Sequence, residues 1–406
     1  MRKIELLAPA GDLEKLKTAV DYGADAVYFG GMIGSLRSAA GNLNIDEIKE
    51  GVEYCHQNGK KSYLTVNIYA HNEDLNELRL FISSVKETDI DAFIVSDPAV
   101  MEIIKSIIND PEIHLSTQAN VTSYEAGNFW YKQGVRRLIL ARELTFDEIN
   151  TIHNNIPHDM ELEAFVHGAM CISYSGRCLL SNYMTGRDGN RGECAQPCRW
   201  NYHLVEEMRP GEYYPIEEDD RGTYIMNSKD LCMIRHIPEL AESGIISAKI
   251  EGRMKSAYYV ATVVRAYRKA IDEYYKDPNS YSFKEQWWEE LLKASHREVT
   301  TGFFFNKANA DDQNYITNGY SRGSTFLGII REYNENTGLA KIEQRNKFSV
   351  GDKIEIFGSD IEYESMVIES LYDENMNEIQ SAPHAQMIVF IKTNNILKPG
   401  MMIRTS

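Results

Sequence analysis

Short runs rich in β-branched and aromatic residues alternate with amphipathic helical patterns through residues 1–275, and this alternation constrains the fold more than any other feature of the chain. Such alternation is typical of α/β folds, in which crossover helices join parallel strands. Eight strands of this kind predict a (β/α)8 barrel, a TIM-like barrel, with an open doubly wound sheet as the alternative. The predicted strands are Ile4–Ala8, Ala26–Phe29, Ser62–Asn67, Ala92–Ser96, Ile113–Thr117, Arg137–Ala141, Leu162–Val166 and Ser247–Ile250.

The helical patterns between these strands carry start and stop signals of their own. In the first pattern, Asp12–Tyr22, Asp12 stands at the N-cap position and Gly23 follows where the helix would end. The remaining predicted helices are Ile45–Asn58, Asp74–Thr88, Pro98–Ile108, Ser123–Gln133, Thr145–Asn154 and, after the eighth strand, Lys255–Tyr275.

The regular alternation is interrupted once and then ends, which predicts the division of the chain into domains. An insertion at 168–240, between the seventh and eighth strands, holds five of the six cysteines, and its acidic stretch 206–220 is predicted to be a solvated excursion. Residues 276–322 are predicted to be a linker region with one helix, which carries Trp287 and Trp288. Strand patterns punctuated by Gly and Asn over 323–406 predict a small antiparallel β-barrel domain.

Charge and targeting signals narrow the functional class. The formal net charge of −17 argues against a broad nucleic-acid-binding surface, although a local basic patch remains compatible with it. The N-terminal stretch "MRKIELLAPAGDLEKL" lacks the features of a signal peptide, and no apolar run is long enough to predict a membrane span. We therefore expect a cytoplasmic protein without a membrane partner. In a reducing compartment, clustered cysteines are more often metal ligands or catalytic groups than disulfides.

Four cysteines lie within 28 residues just after the seventh strand, at Cys171, Cys178, Cys194 and Cys198. Thiolates are soft ligands, and four of them suit an iron–sulfur cluster or zinc. The spacing differs from the paired C-x2-C of a zinc ribbon, and a set of buried thiols is the structural alternative. Cys232, in "NSKDLC", is a fifth candidate ligand, whereas Cys55 lies in a helical pattern and is predicted to belong to the core.

Polar residues at the C-terminal ends of the predicted strands are the other candidates for a site, because barrel enzymes bind their substrates at that end. Arg142 and Arg253 are suited to clamp a small anion, although a barrel mouth is polar in any case. No H-E-x-x-H, P-loop or G-x-G-x-x-G motif occurs. The G-x-S-x-G match "GYSRG" at 319–323 precedes a strand instead of forming a strand-to-helix elbow, so we interpret it as chance.

Three long stretches resemble the collagenase-like U-32 peptidase family. The stretch "EAFVHGAMCISYSGRCLLS" at 163–181 fits the family signature E-x-F-x2-G-A-M-C-x4-G-x-C-x-L-S. The other two are "ELLAPAGDLEKLKTAVDYGADAVYFGG" at 5–31 and "NSKDLCMIRHIPELAESGIISAKIEGRMKS" at 227–256. The resemblance covers about residues 3–275, and the terminal β domain is similar to the family's own C-terminal module.

The resemblance implies two different activities. The family name implies a peptidase, whereas better-studied branches imply O2-independent hydroxylation with a 4Fe–4S cluster. One branch makes 5-hydroxyuridine at the tRNA wobble position with prephenate implicated, another hydroxylates a ribosomal RNA cytidine, and a third acts in ubiquinone synthesis. A barrel followed by one β module is most similar to the tRNA branch.

The family's cluster ligands can be matched to this sequence at three positions, and the fourth stays open. Cys171 and Cys178 match the signature directly, Cys194 matches the next family cysteine, and the fourth ligand stays open between Cys198 and Cys232. The candidate catalytic residues are Arg142, His167, Lys229, Glu251 and Arg253, and of these, charge and position favour Arg142, Arg253 and Lys229 for holding a dicarboxylate such as prephenate.

The sequence is compatible with three functions. The first is an iron–sulfur enzyme that hydroxylates the tRNA wobble uridine, with tRNA and a small dicarboxylate as partners and a related family subunit as a further candidate partner. The second is a peptidase, which is weakened because no nucleophile–base pair or metalloprotease motif is found. The third is a non-catalytic binding module, which would explain the β domain but not the cysteines.

Overall fold

The barrel predicted from the sequence is present and closed. The computed structural model describes residues 2–36, 41–171, 173–200, 217–219, 222–224, 229–306, 323–359 and 363–406. Eight parallel strands pair in chain order, and the last of them, Ile245–Ile250, pairs with both the seventh and the first, which excludes the open sheet. These strands are β1 Glu5–Ala10, β2 Ala26–Gly30, β3 Lys61–Val66, β4 Ala92–Val95, β5 Ile113–Leu115, β6 Arg137–Ile139, β7 Glu161–Ala169 and β11 Ile245–Ile250.

Helices connect consecutive strands of the barrel, as the sequence predicted. The Asp12 side chain accepts a hydrogen bond from the Lys15 N–H at 2.9 Å and so caps the first helix, while Gly23 adopts a φ of +106° just beyond its end. None of the helices in the described residues has the length and apolar character needed to cross a membrane. The helices are α1 Leu13–Asp21, α2 Ile45–Gln57, α3 Leu75–Ser84, α4 Pro98–Ile107, α5 Tyr124–Lys132, α6 Phe146–Asn155 and α9 Ala257–Lys276.

The insertion between β7 and β11 contains several short elements. They are α7 Leu180–Thr185, a hairpin of β8 Glu217–Asp219 and β9 Gly222–Tyr224, then β10 Asp230–Cys232 and α8 Ile237–Glu242. Strand β10 runs antiparallel to the end of β7 and places Cys232 opposite His167. Apart from 217–219, the predicted acidic excursion 206–220 lies outside the described residues.

The described part of the region after α9 packs against the barrel. Helix α10, Glu285–Lys293, contacts α9, and its Trp287 is buried in the same apolar cluster as the barrel helices. Strand β12, Val299–Thr300, pairs parallel to β10 and so extends the barrel sheet. Residues 307–322, and with them most of the "GYSRG" match, lie outside the described residues.

The C-terminal domain is an antiparallel sheet with its own apolar core. Seven strands pair in the order β17-β16-β21-β13-β14-β20-β18, and β15 pairs with β19. No pairing joins β17 to β18 in the described residues, so the predicted small barrel has the form of a half-barrel. The strands are β13 Phe326–Asn334, β14 Leu339–Gln344, β15 Phe348–Ser349, β16 Lys353–Phe357, β17 Glu364–Val367, β18 Leu371–Tyr372, β19 Ser381–Ala382, β20 Ile388–Lys392 and β21 Met402–Thr405.

A buried ionic contact joins the C-terminal domain to the barrel. Arg404, on β21, is fully buried and donates to both carboxylate oxygens of Glu290 on α10 at 2.8 Å each. Arg404 also donates to Glu355 of its own domain at 2.8 Å, and Arg265 on α9 donates to the Gly358 carbonyl at 2.8 Å. Because Arg404 and Glu290 form their paired hydrogen bonds only when the domains are docked, this contact favours one relative position of the two domains.

Candidate active-site cavity

A cavity of about 170 Å³ opens at the C-terminal end of the barrel strands, where barrel enzymes bind their substrates. The barrel contributes an apolar floor made of Tyr28, Ile94, Ile139 and Phe165. Polar barrel residues in the wall include Asn67, Gln118, Arg142, Lys249, Glu251 and Arg253. The insertion closes the opposite side with Cys171, Cys178, Cys194 and Cys198.

Two glycines let the cysteine-bearing segment leave β7 and fold over the cavity mouth. Gly168 has a φ of +108°, and a Cβ atom there would stand 2.5 Å from the Glu251 carbonyl oxygen. Gly176 has a φ of +75°, and a Cβ atom there would stand 2.6 Å from the Gln118 carbonyl oxygen. Both positions combine a backbone conformation that side chains disfavour with a close approach of another chain segment, so both require glycine.

Arg142 ties the start of this segment to the barrel. Its guanidinium donates to the Ala169 carbonyl oxygen and to the Ser175 hydroxyl oxygen, each at 3.0 Å. Its charged carbon lies 5.3 Å from the centre of the Phe165 ring, and its buried Nε has no hydrogen-bond partner in the described residues. Arg142 therefore holds the cysteine segment and keeps one buried donor without a partner in the described residues.

The far end of the segment is tied to helix α3. Arg191 donates to both carboxylate oxygens of Asp74 at 2.8 and 2.9 Å, and these bonds hold the pKa of Asp74 below its usual value. The neighbouring Asn190 side chain donates to the Cys178 carbonyl oxygen at 3.2 Å. These bonds set the path of the segment across the mouth between its second and third cysteines.

The structure brings four of the five predicted ligands to one cavity. Cys171 is exposed, whereas Cys178, Cys194 and Cys198 are partly buried. Cys232 is absent from the cavity wall; its sulfur lies 3.9 Å from the Tyr267 hydroxyl, and burial raises the pKa of its thiol to about 11. In the part of the chain that the structure describes, no three His, Cys, Asp or Glu side chains are already gathered closely enough to hold a metal ion.

Three of the five predicted catalytic residues line the cavity, namely Arg142, Glu251 and Arg253. His167 and Lys229 do not. His167 is buried with its Nδ1 3.4 Å from the Tyr267 hydroxyl, and burial lowers its pKa to about 4. Lys229 forms an ion pair with Glu298 at 3.3 Å.

Arg253 is engaged by the loop that follows β2. Its guanidinium donates to the Ser35 hydroxyl oxygen at 2.8 Å, to the Leu36 carbonyl oxygen at 2.9 Å and to the Asn42 side-chain oxygen. The side chain is 4% exposed. Arg253 therefore organises the rim of the mouth and contributes a positive charge to it.

Sequence reasoning missed Lys249, a residue that is 3% exposed and lines the cavity floor. Its ammonium donates to Glu163 at 2.8 Å, and Glu163 accepts a further bond from Arg137 at 3.2 Å. Burial lowers the pKa of Lys249. The sequence signal was a lysine inside the predicted strand Ser247–Ile250, near the strand end that faces the barrel mouth.

Family models match almost the whole chain. The model described as peptidase family U32 matches residues 11–314, and the model of the U32 C-terminal domain matches residues 322–404.

Curated relatives carry two kinds of name. The tRNA hydroxylation protein P1 of Bacillus subtilis is 43% identical over 99% of this chain and 95% of its own length. The tRNA hydroxylation protein P of Escherichia coli is 40% identical over 88% of this chain and 86% of its own. A protein of Porphyromonas gingivalis named collagenase is 35% identical over 87% of this chain and 86% of its own.

Proposed function

The chain belongs to peptidase family U32, as its motifs predicted, and we propose that it is an RNA-hydroxylating enzyme that acts on tRNA. Relatives named for tRNA hydroxylation match it over the barrel and the C-terminal domain together. The observation that carries the proposal is the presence of four cysteines around one cavity at the catalytic end of the barrel. Hydrolysis of a peptide bond does not require four thiols at one mouth.

We propose more specifically that the reaction is the O2-independent hydroxylation of the wobble uridine to 5-hydroxyuridine, with prephenate as a small co-substrate. The family resemblance supports both points. The choice of prephenate is also supported by the positive charge over an apolar floor, because such a cavity suits a carboxylate attached to an apolar body.

We propose that Cys171, Cys178, Cys194 and Cys198 hold a 4Fe–4S cluster. Four thiolates are a suitable donor set, and the two positive-φ glycines place this segment over the mouth. The segment would have to draw its thiols together around the cluster. When bound, the cluster would supply one-electron redox chemistry beside the substrate. Zinc suits the same thiols, so metal analysis decides between the two.

The chain's own residues would position the substrate and handle protons. The apolar floor excludes water, and Arg142 places the cysteine segment. Glu251 is the one carboxylate in the described wall of the cavity. It is therefore the side chain available to accept a proton from a bound nucleobase.

The peptidase alternative is supported by the relative named collagenase. Against it, the described wall of the cavity contains no histidine, and His167 lies outside the wall. A cysteine nucleophile would therefore lack the imidazole base that such catalysis usually uses.

The test is nucleoside analysis of tRNA from a deletion strain complemented with variants, combined with iron and sulfide analysis of protein purified without oxygen. Cys178→Ala should lose both the cluster and the modified nucleoside, while Cys55→Ala, in the buried face of α2, serves as the matched control. Wild-type protein should carry about four irons and four sulfides per chain. Unchanged tRNA in the deletion strain together with cleavage of a protein substrate would replace the proposal with the peptidase.

A further inference from the structure

Lys249 places a buried positive charge on the floor of the cavity. Its Nζ lies 4.3 Å from the centre of the Tyr28 ring and 5.4 Å from the centre of the Phe165 ring. Both rings line the cavity and belong to an apolar cluster inside the barrel. The ammonium therefore lies beside two aromatic rings that line the space a ligand would fill.

The carboxylate beside Lys249 uses only part of the hydrogen-bonding capacity of its ammonium. An ammonium has three N–H donors, and in the described residues that of Lys249 donates to Glu163. The other oxygen of this carboxylate accepts from Arg137, whose closer carboxylates are those of Glu5 and Glu161. Burial lowers the pKa of Lys249 even beside that carboxylate, and Arg137 lowers it further. A second anion in the cavity would therefore stabilise the charged ammonium.

The other cations near the mouth are differently placed. Arg253 is engaged by the loop after β2, and Lys229 lies outside the cavity wall. Arg142 also approaches the Phe165 ring, at 5.3 Å, and its Nε remains without a partner in the described residues. Lys249 and Arg142 thus stand around one aromatic ring, which suits a ligand with two separate negative groups.

We infer that Lys249 is a substrate-contacting residue whose ammonium binds a carboxylate of the small co-substrate, while Arg142 binds a second carboxylate and the apolar body packs on Tyr28 and Phe165. This inference rests on the proposed function and names the residues that would recognise its co-substrate. It replaces Lys229, which position in the sequence had favoured, with a residue on the cavity floor.

The competing explanation is that Lys249 only neutralises Glu163, and a charge-balanced double variant separates the two. Lys249→Met alone would leave the fully buried Glu163 with Arg137 as its remaining cation and risks misfolding. Lys249→Met combined with Glu163→Gln removes both charges together. Lys249→Arg keeps a cation at the same position. Lys341→Met with Glu332→Gln, an ion pair of the C-terminal domain at 3.0 Å, is the control for the double substitution.

Binding is measured by calorimetry on oxygen-free wild-type and variant protein with three probes. Prephenate has two carboxylates and a ring, phenylpyruvate has one carboxylate and a ring, and succinate has two carboxylates without a ring. Wild-type protein should bind prephenate most tightly. The double variant should bind prephenate about 10–100-fold more weakly, which corresponds to one lost charged hydrogen bond. Lys249→Arg should recover part of that loss.

Two outcomes would overturn the inference. If the folded double variant binds prephenate as tightly as wild-type protein, Lys249 serves only Glu163. If wild-type protein binds none of the three probes, the cavity does not take a small carboxylate. In that second case, the nucleoside analysis of the deletion strain still tests the proposed RNA hydroxylation independently. Should the double variant fail to fold, Lys249→Arg decides alone, since unchanged prephenate and succinate affinities in that variant would contradict a direct contact.

Discussion

Replacing Gly168 by alanine tests whether the cysteine segment depends on the close crossing over Glu251. Two costs combine at this position. The φ of +108° disfavours any side chain, by about 1–2 kcal/mol. The new Cβ would stand 2.5 Å from the Glu251 carbonyl oxygen and 3.0 Å from the Glu251 Cβ, and such overpacking costs about 1–3 kcal/mol. The sum is about 2–5 kcal/mol, concentrated where the segment leaves β7.

Gly186→Ala is the matched control, because that glycine lies in the same segment and also has a positive φ, of +70°. An added Cβ there meets nothing within 4 Å, so only the backbone cost applies. We expect Gly168→Ala to lower the midpoint of thermal unfolding and the iron content of oxygen-free protein, and Gly186→Ala to change both much less. Equal effects of the two substitutions would refute the reasoning, since the contact with Glu251 would then contribute nothing.

Two further predictions concern buried charge. Burial lowers the pKa of His167 to about 4, so the unfolded chain binds the extra proton between that value and about 6.5, and stability should fall as pH falls through this range. His167→Gln should reduce this slope in thermal unfolding curves recorded from pH 4 to 7, and an unchanged slope would remove His167 as its cause. Glu290→Ala leaves Arg404 buried with Glu355 as its remaining carboxylate and should weaken domain docking by about 3 kcal/mol. Limited proteolysis should then cut the chain between the domains faster than in wild-type protein, and an unchanged rate would contradict the role of Arg404.

Most of the barrel strands could be predicted from the sequence because they are short apolar runs followed by an amphipathic helix, often with an N-cap residue that the sequence identifies. Asp12 illustrates this, since its side chain caps α1 as its position indicated. The half-barrel form of the C-terminal domain could not be predicted in this way. Closure depends on whether the two edge strands reach each other, and the strand pattern within each segment carries no information on that distance.

The candidate site was only partly predictable, for two physical reasons. Residues at the C-terminal ends of the strands were expected to line the barrel mouth. Strand β10 of the insertion, however, pairs with the end of β7, and His167 is buried beside Tyr267. The second reason concerns pairing across the barrel. Lys249 and Glu163 are far apart in sequence, and only closure of β11 against β7 brings them together.

The contact around Arg404 also bears on how this architecture can be recombined. The guanidinium belongs to the C-terminal domain, one of its carboxylates belongs to the barrel side and the other to its own domain. A chimera that joined this C-terminal domain to a barrel without a carboxylate at the position of Glu290 would enclose a poorly compensated charge at the seam. The two domains are therefore interchangeable between relatives only as a matched pair, and a designed fusion has to carry Arg404 and Glu290 together.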